Sequence, residues 1–107
     1  MARITYQPAS AVQRVDLADG DASGAITTGG VAQQALAQNV GRRSLSIQNL
    51  DATRPLFVDF GATAVQGQPS FRIQPFGAQT WLGPAVPIDA ISVIGPETGQ
   101  QFVVKEG

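Results

Sequence analysis

The side chains best able to do chemistry are few and scattered in this sequence of 107 residues. Asp16, Asp19 and Asp21 stand close together and invite a calcium-loop reading. Their spacing misses the alternating ligand positions of an EF-hand loop, and no glutamate follows to close one. They read instead as solvated turn aspartates. The carboxylates Asp51, Asp59, Asp89, Glu97 and Glu106 stand singly. Asp59 and Asp89 could meet in space, yet a carboxylate pair cleaves glycosides only across a cleft that holds the sugar. His and Cys are absent, which removes imidazole bases, thiolate nucleophiles, disulfides and Cys/His zinc sites. No Gly-x-Ser-x-Gly elbow or phosphate-binding glycine loop occurs, and the small-residue loop between Gly61 and Gly67 lacks the lysine of a phosphate cradle. The expectation is a protein with no catalytic residue, no metal site and no cofactor.

What remains is binding. Trp81, in Gln79-Thr80-Trp81-Leu82, has the size and rigidity of a core residue, an interface anchor or a sugar-stacking platform. Arg42 and Arg43 are adjacent cations at the start of a strand. They read as edge charges that discourage unwanted pairing, or as partners for acidic groups on another protein. Seven Lys+Arg against eight Asp+Glu form no basic stripe, so nucleic-acid binding is not expected. The charged fraction is 14 %, well under the roughly 25 % of ordinary soluble domains. Such an exterior suits a surface covered by neighbours, or a merely neutral domain.

The elements that must position these residues are strands. Twelve Gly and seven Pro cut the chain into short segments, the punctuation of a sandwich or barrel. Leu45 and Ile47, then Leu56, Val58 and Phe60, then Phe71 and Ile73, then Ile91 and Val93 each alternate with other residues, and residues 102–105 read as a closing strand. Gly95-Pro96-Glu97-Thr98-Gly99 reads as the turn of a hairpin between a strand near 90–95 and one near 101–105. Residues 31–38 are good helix formers, but so short a helix is marginal, and a strand paired with 43–49 is favoured. Residues 1–24 carry alternation at Ile4, Tyr6, Val12, Val15 and Leu17. They are either a loosely held terminus or an extended arm that pairs with an exposed sheet edge. Residues 25–107 then form one domain. The start MARITYQPAS lacks the basic run and apolar core of a secretory signal. No stretch approaches the ~20 apolar residues of a membrane helix, so a soluble chain is expected.

The middle of the chain resembles a known group. Gly30-Val31-Ala32-Gln33, Leu36, Asn39, Arg42, Leu45-Ser46-Ile47-Gln48-Asn49 and Pro55-Leu56-Phe57-Val58-Asp59-Phe60-Gly61 resemble a run shared by small structural proteins of tailed-bacteriophage heads. The likeness extends loosely through Gly83-Pro84-Ala85-Val86-Pro87 and Ala90–Gly95, over about residues 29–107. It implies a capsid cement or decoration protein, an all-β, jelly-roll-like antiparallel sandwich with an extended N-terminal arm. The implied partner is the major capsid protein, and the implied location is the outer surface of the virion. A homo-oligomer, dimer or trimer, is expected, with no membrane and no small-molecule substrate. Contact residues would be sought at Arg3, Ile4, Tyr6, Val12, Arg14, Val15, Arg42, Arg43 and Trp81. A tail, baseplate or fibre accessory protein and a carbohydrate-binding module are the other readings.

Overall fold

The computed structural model describes residues 20–107. The chain runs β1 (Gly20–Asp21), β2 (Gly24–Ala25), β3 (Gln33–Leu36), β4 (Ser44–Asn49), β5 (Leu56–Phe60), β6 (Phe71–Ile73), β7 (Ala78–Leu82), a 3-10 turn (Gly83–Ala85), β8 (Ile91–Ile94) and β9 (Gln101–Glu106). Two antiparallel sheets pack face to face. The first has the order β1-β9-β4-β7, with β2 also on β9, and the second has the order β3-β8-β5-β6. With β1 and β2 taken as one interrupted strand, this is the pairing of a long antiparallel ribbon rolled on itself, a jelly roll.

The alternation explains which residues face inward. Along β4 burial alternates strictly, with Leu45, Ile47 and Asn49 buried and Ser44, Ser46 and Gln48 half-buried. Val58 pairs with Val93 across the second sheet, Ile47 with Val104 across the first, and all four are fully buried. With Ile26, Leu56, Ile91 and Phe102 they make one core between the layers. Half-burial imposes the two-residue period, so the pattern was readable before any pairing was known.

Pairing differs from expectation in two places. Residues 33–36 form a strand, as favoured, but β3 pairs with β8 in the second sheet rather than with residues 43–49. Likewise β8 and β9 are not a hairpin: they lie in opposite sheets, and residues 95–100 arch across the sandwich between them. The reason is the neighbouring corner. Gly30 N–H donates to Gly95 O, Ile26 N–H to Gln100 O and Gly99 N–H to Ile26 O, so the β2–β3 and β8–β9 connections cross between sheets side by side. A strand–turn–strand pattern contains no signal for whether the second strand turns back or crosses over. Residues 20–25, placed mostly in the expected arm, pair with β9 through β1 and β2, so the first sheet already includes them. The arm positions Arg3, Ile4, Tyr6, Val12, Arg14 and Val15 lie outside the described residues.

Candidate interaction surface

Arg42 is 3 % exposed and is neither an edge charge nor a surface for a partner. Its Nε donates to Glu106 Oε1 at 2.7 Å, Nη1 to Pro87 O at 2.7 Å and Asp89 O at 3.1 Å, and Nη2 to Ala37 O at 3.0 Å. Asn39 Nδ2 joins it on Glu106 Oε1 at 3.1 Å, and Asn39 N–H donates to Ile88 O. A chain leaving a sheet strands carbonyls that no ladder satisfies. The fixed fork of a guanidinium collects several of them at once and carries a carboxylate as counter-ion. Arg42 thus pins the β3–β4 corner to the β7–β8 corner and both to the last strand. Arg43, next to it, is exposed, and its backbone N–H donates to Gly107 O. The strand that follows, β4, lies inside its sheet between β9 and β7, so neither arginine guards an edge.

The other two buried polar residues do the same work at the other corners. Asn49 Nδ2 donates to Arg54 O at 2.7 Å and Ile73 O at 3.1 Å, while its Oδ1 accepts from Asp51 N–H at 3.0 Å. It joins the β4–β5 corner to the end of β6. Gln100, on the β8–β9 arch, donates to Pro55 O at 3.0 Å. The Asn39-x-x-Arg42-x-x-Leu45-x-Ile47-Gln48-Asn49 run therefore consists of two corner pins, Arg42 with its helper Asn39 and then Asn49, and the inward side chains between them. It is a folding motif. Arg42 reads as a surface charge in the sequence because its acceptors lie far apart along the chain.

Three further carboxylates, Asp51, Asp21 and Asp59, hold turns. Asp51 Oδ2 accepts from Thr53 N–H at 3.0 Å and Arg54 N–H at 2.6 Å, and these bonds hold its carboxyl below the ordinary value of 3.8. The Ser23 hydroxyl and backbone N–H lower Asp21 in the same direction, which makes it the turn aspartate expected from its spacing; Asp16 and Asp19 lie outside the described residues. Asp59 accepts from Ser70 Oγ at 3.1 Å and from Phe60 N–H at 2.8 Å. With Ser92 Oγ accepting from Ala64 N–H, this folds the 61–70 loop over the outer face of the second sheet. Beside that loop, Ala32, Gln34, Thr63 and Ser92 line a shallow groove of about 330 Å³. Among the described residues no three acidic side chains gather closely enough to hold a metal ion.

Trp81 closes the side of the sandwich between β6 and β7. Its ring meets Phe60 edge-on at 5.1 Å and Phe71 at 6.3 Å, and it packs against the core while staying half-buried. The aromatic groups are thus tied to one another, in the geometry that ring quadrupoles favour. Phe71 remains 55 % exposed, and Leu82, at the end of β7, 65 %.

The outer face of the first sheet is the complementary surface. Ser46 and Thr80 meet on it through their hydroxyls at 3.3 Å, and Gln48 and Val103 lie opposite each other. Among the described residues of this face, charge appears on β9 and β1, where Lys105 stands opposite Asp21 in the ladder. No family model, curated protein or solved structure matches this chain. The site is therefore read from its own geometry: a nearly uncharged sheet face, braced by pinned corners, that runs out to β7.

Proposed function

We propose that this protein is a non-catalytic structural subunit of a tailed-phage head, a cement protein that binds the outside of the shell and reinforces the major capsid protein. The observation that carries the reading is the uncharged outer face of the first sheet, from β4 to β7, backed by a core and three buried polar pins. A clamp between neighbouring subunits has to be stiff, because a scaffold that yields transmits no restraint. It also needs a face whose desolvation costs little, and short polar side chains such as Ser46 and Thr80 cost far less to cover than charges do. Repetition over a shell multiplies modest contacts into high avidity. The resemblance of the Asn39–Asn49 and Pro55–Gly61 segments to small head proteins points the same way.

The test is direct. Purified protein mixed with expanded heads lacking it is expected to co-sediment with them and to raise their resistance to heat. Protein that stays in the supernatant with every head form refutes the proposal. Immunogold on intact particles is expected to mark the head, and gold confined to the tail would reassign the protein to a tail or fibre component.

A further inference from the structure

Among the described residues, β7 itself carries none of the devices that normally keep a sheet edge from pairing; the nearest charge is Arg72 on β6, which shares a groove with Ala78 and Gln79. Asn49 N–H donates to Gly77 O, and Gly83 N–H donates to Arg43 O. Residues of odd number on this strand therefore turn their backbone groups to β4. By the alternation of an antiparallel ladder, the N–H and C=O of Ala78, Thr80 and Leu82 point the other way, where no described strand lies. Edge strands are ordinarily shortened, bulged, broken or charged. The other three edges show those devices: β3 is bulged between Gln34 and Leu36, β6 has three residues with Arg72 at its centre, and the β1–β2 edge is interrupted. Along β7 there is no proline and no bulge, and from Gln74 to Ile88 the chain has no charged residue at all.

We propose that β7 pairs with β7 of a second copy, antiparallel about a two-fold axis through Thr80, to make one continuous sheet across a homodimer. The register follows from parity. Centred on Thr80, Ala78 falls opposite Leu82 of the second copy and Thr80 opposite Thr80, and each of these residues presents its free N–H and C=O to the other. A small side chain meets a large one, and Leu82, exposed as it stands, is covered in both copies. Trp81 comes opposite Gln79, beside the exposed Phe71. The absence of charge selects the occupant. A two-fold axis sets residues near their own kind, so any charge at the centre of this edge would oppose itself, whereas an edge built for a charged foreign strand would carry the opposite sign. A five-residue edge makes a small interface, so the dimer is expected to dissociate in the micromolar range or above. The inference goes beyond the capsid role and stands independently of it.

Sedimentation of the 107-residue chain from micromolar to millimolar concentration reads the dimer. Thr80→Lys sets two ammonium groups against each other and is expected to raise the dissociation constant about tenfold or more, with the far-ultraviolet spectrum unchanged. The chain has no cysteine of its own, so Thr80→Cys is a single-site reporter. Opposed residues of a hydrogen-bonded pair have Cα atoms about 5.5 Å apart, within disulfide reach. Mild oxidation is expected to link Thr80→Cys into covalent dimers and to leave Gln34→Cys, on the bulged edge, monomeric. Wild-type protein that stays monomeric throughout overturns the proposal. So does a dimer that survives Thr80→Lys but is lost with Tyr6→Asp, which would give the contact to the N-terminal segment. A monomer whose binding to heads is abolished by Thr80→Lys would give the edge to a capsid strand and overturn it as well. A dimer that forms normally but binds no head leaves this inference intact and removes only the capsid role.

Discussion

Arg42 is worth more to this molecule than any surface charge, because its guanidinium is fully buried against a carboxylate and three carbonyls. Truncating one partner of such a pair strands the other, with the carbonyls, short of hydrogen-bond partners, at a cost of up to about 3–5 kcal/mol. Arg42→Ala is expected to lower stability by that order in denaturant titration. Arg42→Lys should recover little of it, since an ammonium cannot span three acceptors and Glu106 at once. Asp51 acts in the opposite setting, at the surface, through backbone donors. Its carboxyl is held below 3.8 when folded, so the turn is supported above that value and loses support as pH falls through the lower folded value. Protection of the Thr53 and Arg54 amides, measured against their intrinsic exchange rates, is expected to fall selectively as pH drops below 3.8, and Asp51→Asn should remove most of that dependence. Exchange that ignores both acid and the substitution would show that these bonds do not hold the turn.

Corners, more than strands, decide how the elements are arranged. At each place where the ribbon passes from one sheet to the other, two connections run side by side, and a buried polar side chain or a glycine lets them touch. Gly29 shows the tolerance: a Cβ there would sit 2.5 Å from Pro96 O and 2.9 Å from Thr98 N, both backbone atoms that cannot step aside. Gly29→Ala is therefore expected to push the β2–β3 and β8–β9 corners apart and to cost about 2 kcal/mol or more. Thermal melting reads that loss, and an unchanged midpoint would mean the corner is looser than its contacts indicate. Strand interiors behave differently. They present alternating faces, and the inward residues were identifiable from sequence because burial on one side imposes the period.

At the scale of the molecule, the sandwich distributes its polar groups unequally. The second sheet carries the 61–70 loop across its outer face, while the first leaves a nearly uncharged face and the open β7 edge to solvent. Those two surfaces are continuous, so an edge-paired dimer would double the uncharged face available to a shell. Head binding and dimer formation should then reinforce each other: Thr80→Lys is expected to weaken binding to expanded heads by more than the loss of one side chain, because avidity between linked faces goes with it. Equal binding by Thr80→Lys and wild type in a co-sedimentation assay would separate the two properties.

By itself the sequence determined the class of fold, the strands β3 to β6, β8 and β9, and most of their inward residues; β1 and β2 fall mostly within the segment expected as an arm, and Phe71, which alternates with Ile73, is exposed. The strands follow from local alternation between Gly and Pro breaks, which short-range sterics and burial read directly. It also made plain that imidazole and thiol chemistry are missing, since that needs only a count of His and Cys. Tertiary structure alone decided which strands pair. The partner of β3, the crossing of residues 95–100 and the interior place of β4 depend on how the ribbon rolls, which local alternation does not encode. Only the fold could turn Arg42 from a surface cation into a buried pin, because its acceptors at Ala37, Pro87, Asp89 and Glu106 are brought together by two chain crossings and the last strand. The same crossings leave β7 outermost, so its missing charges gain their meaning from position.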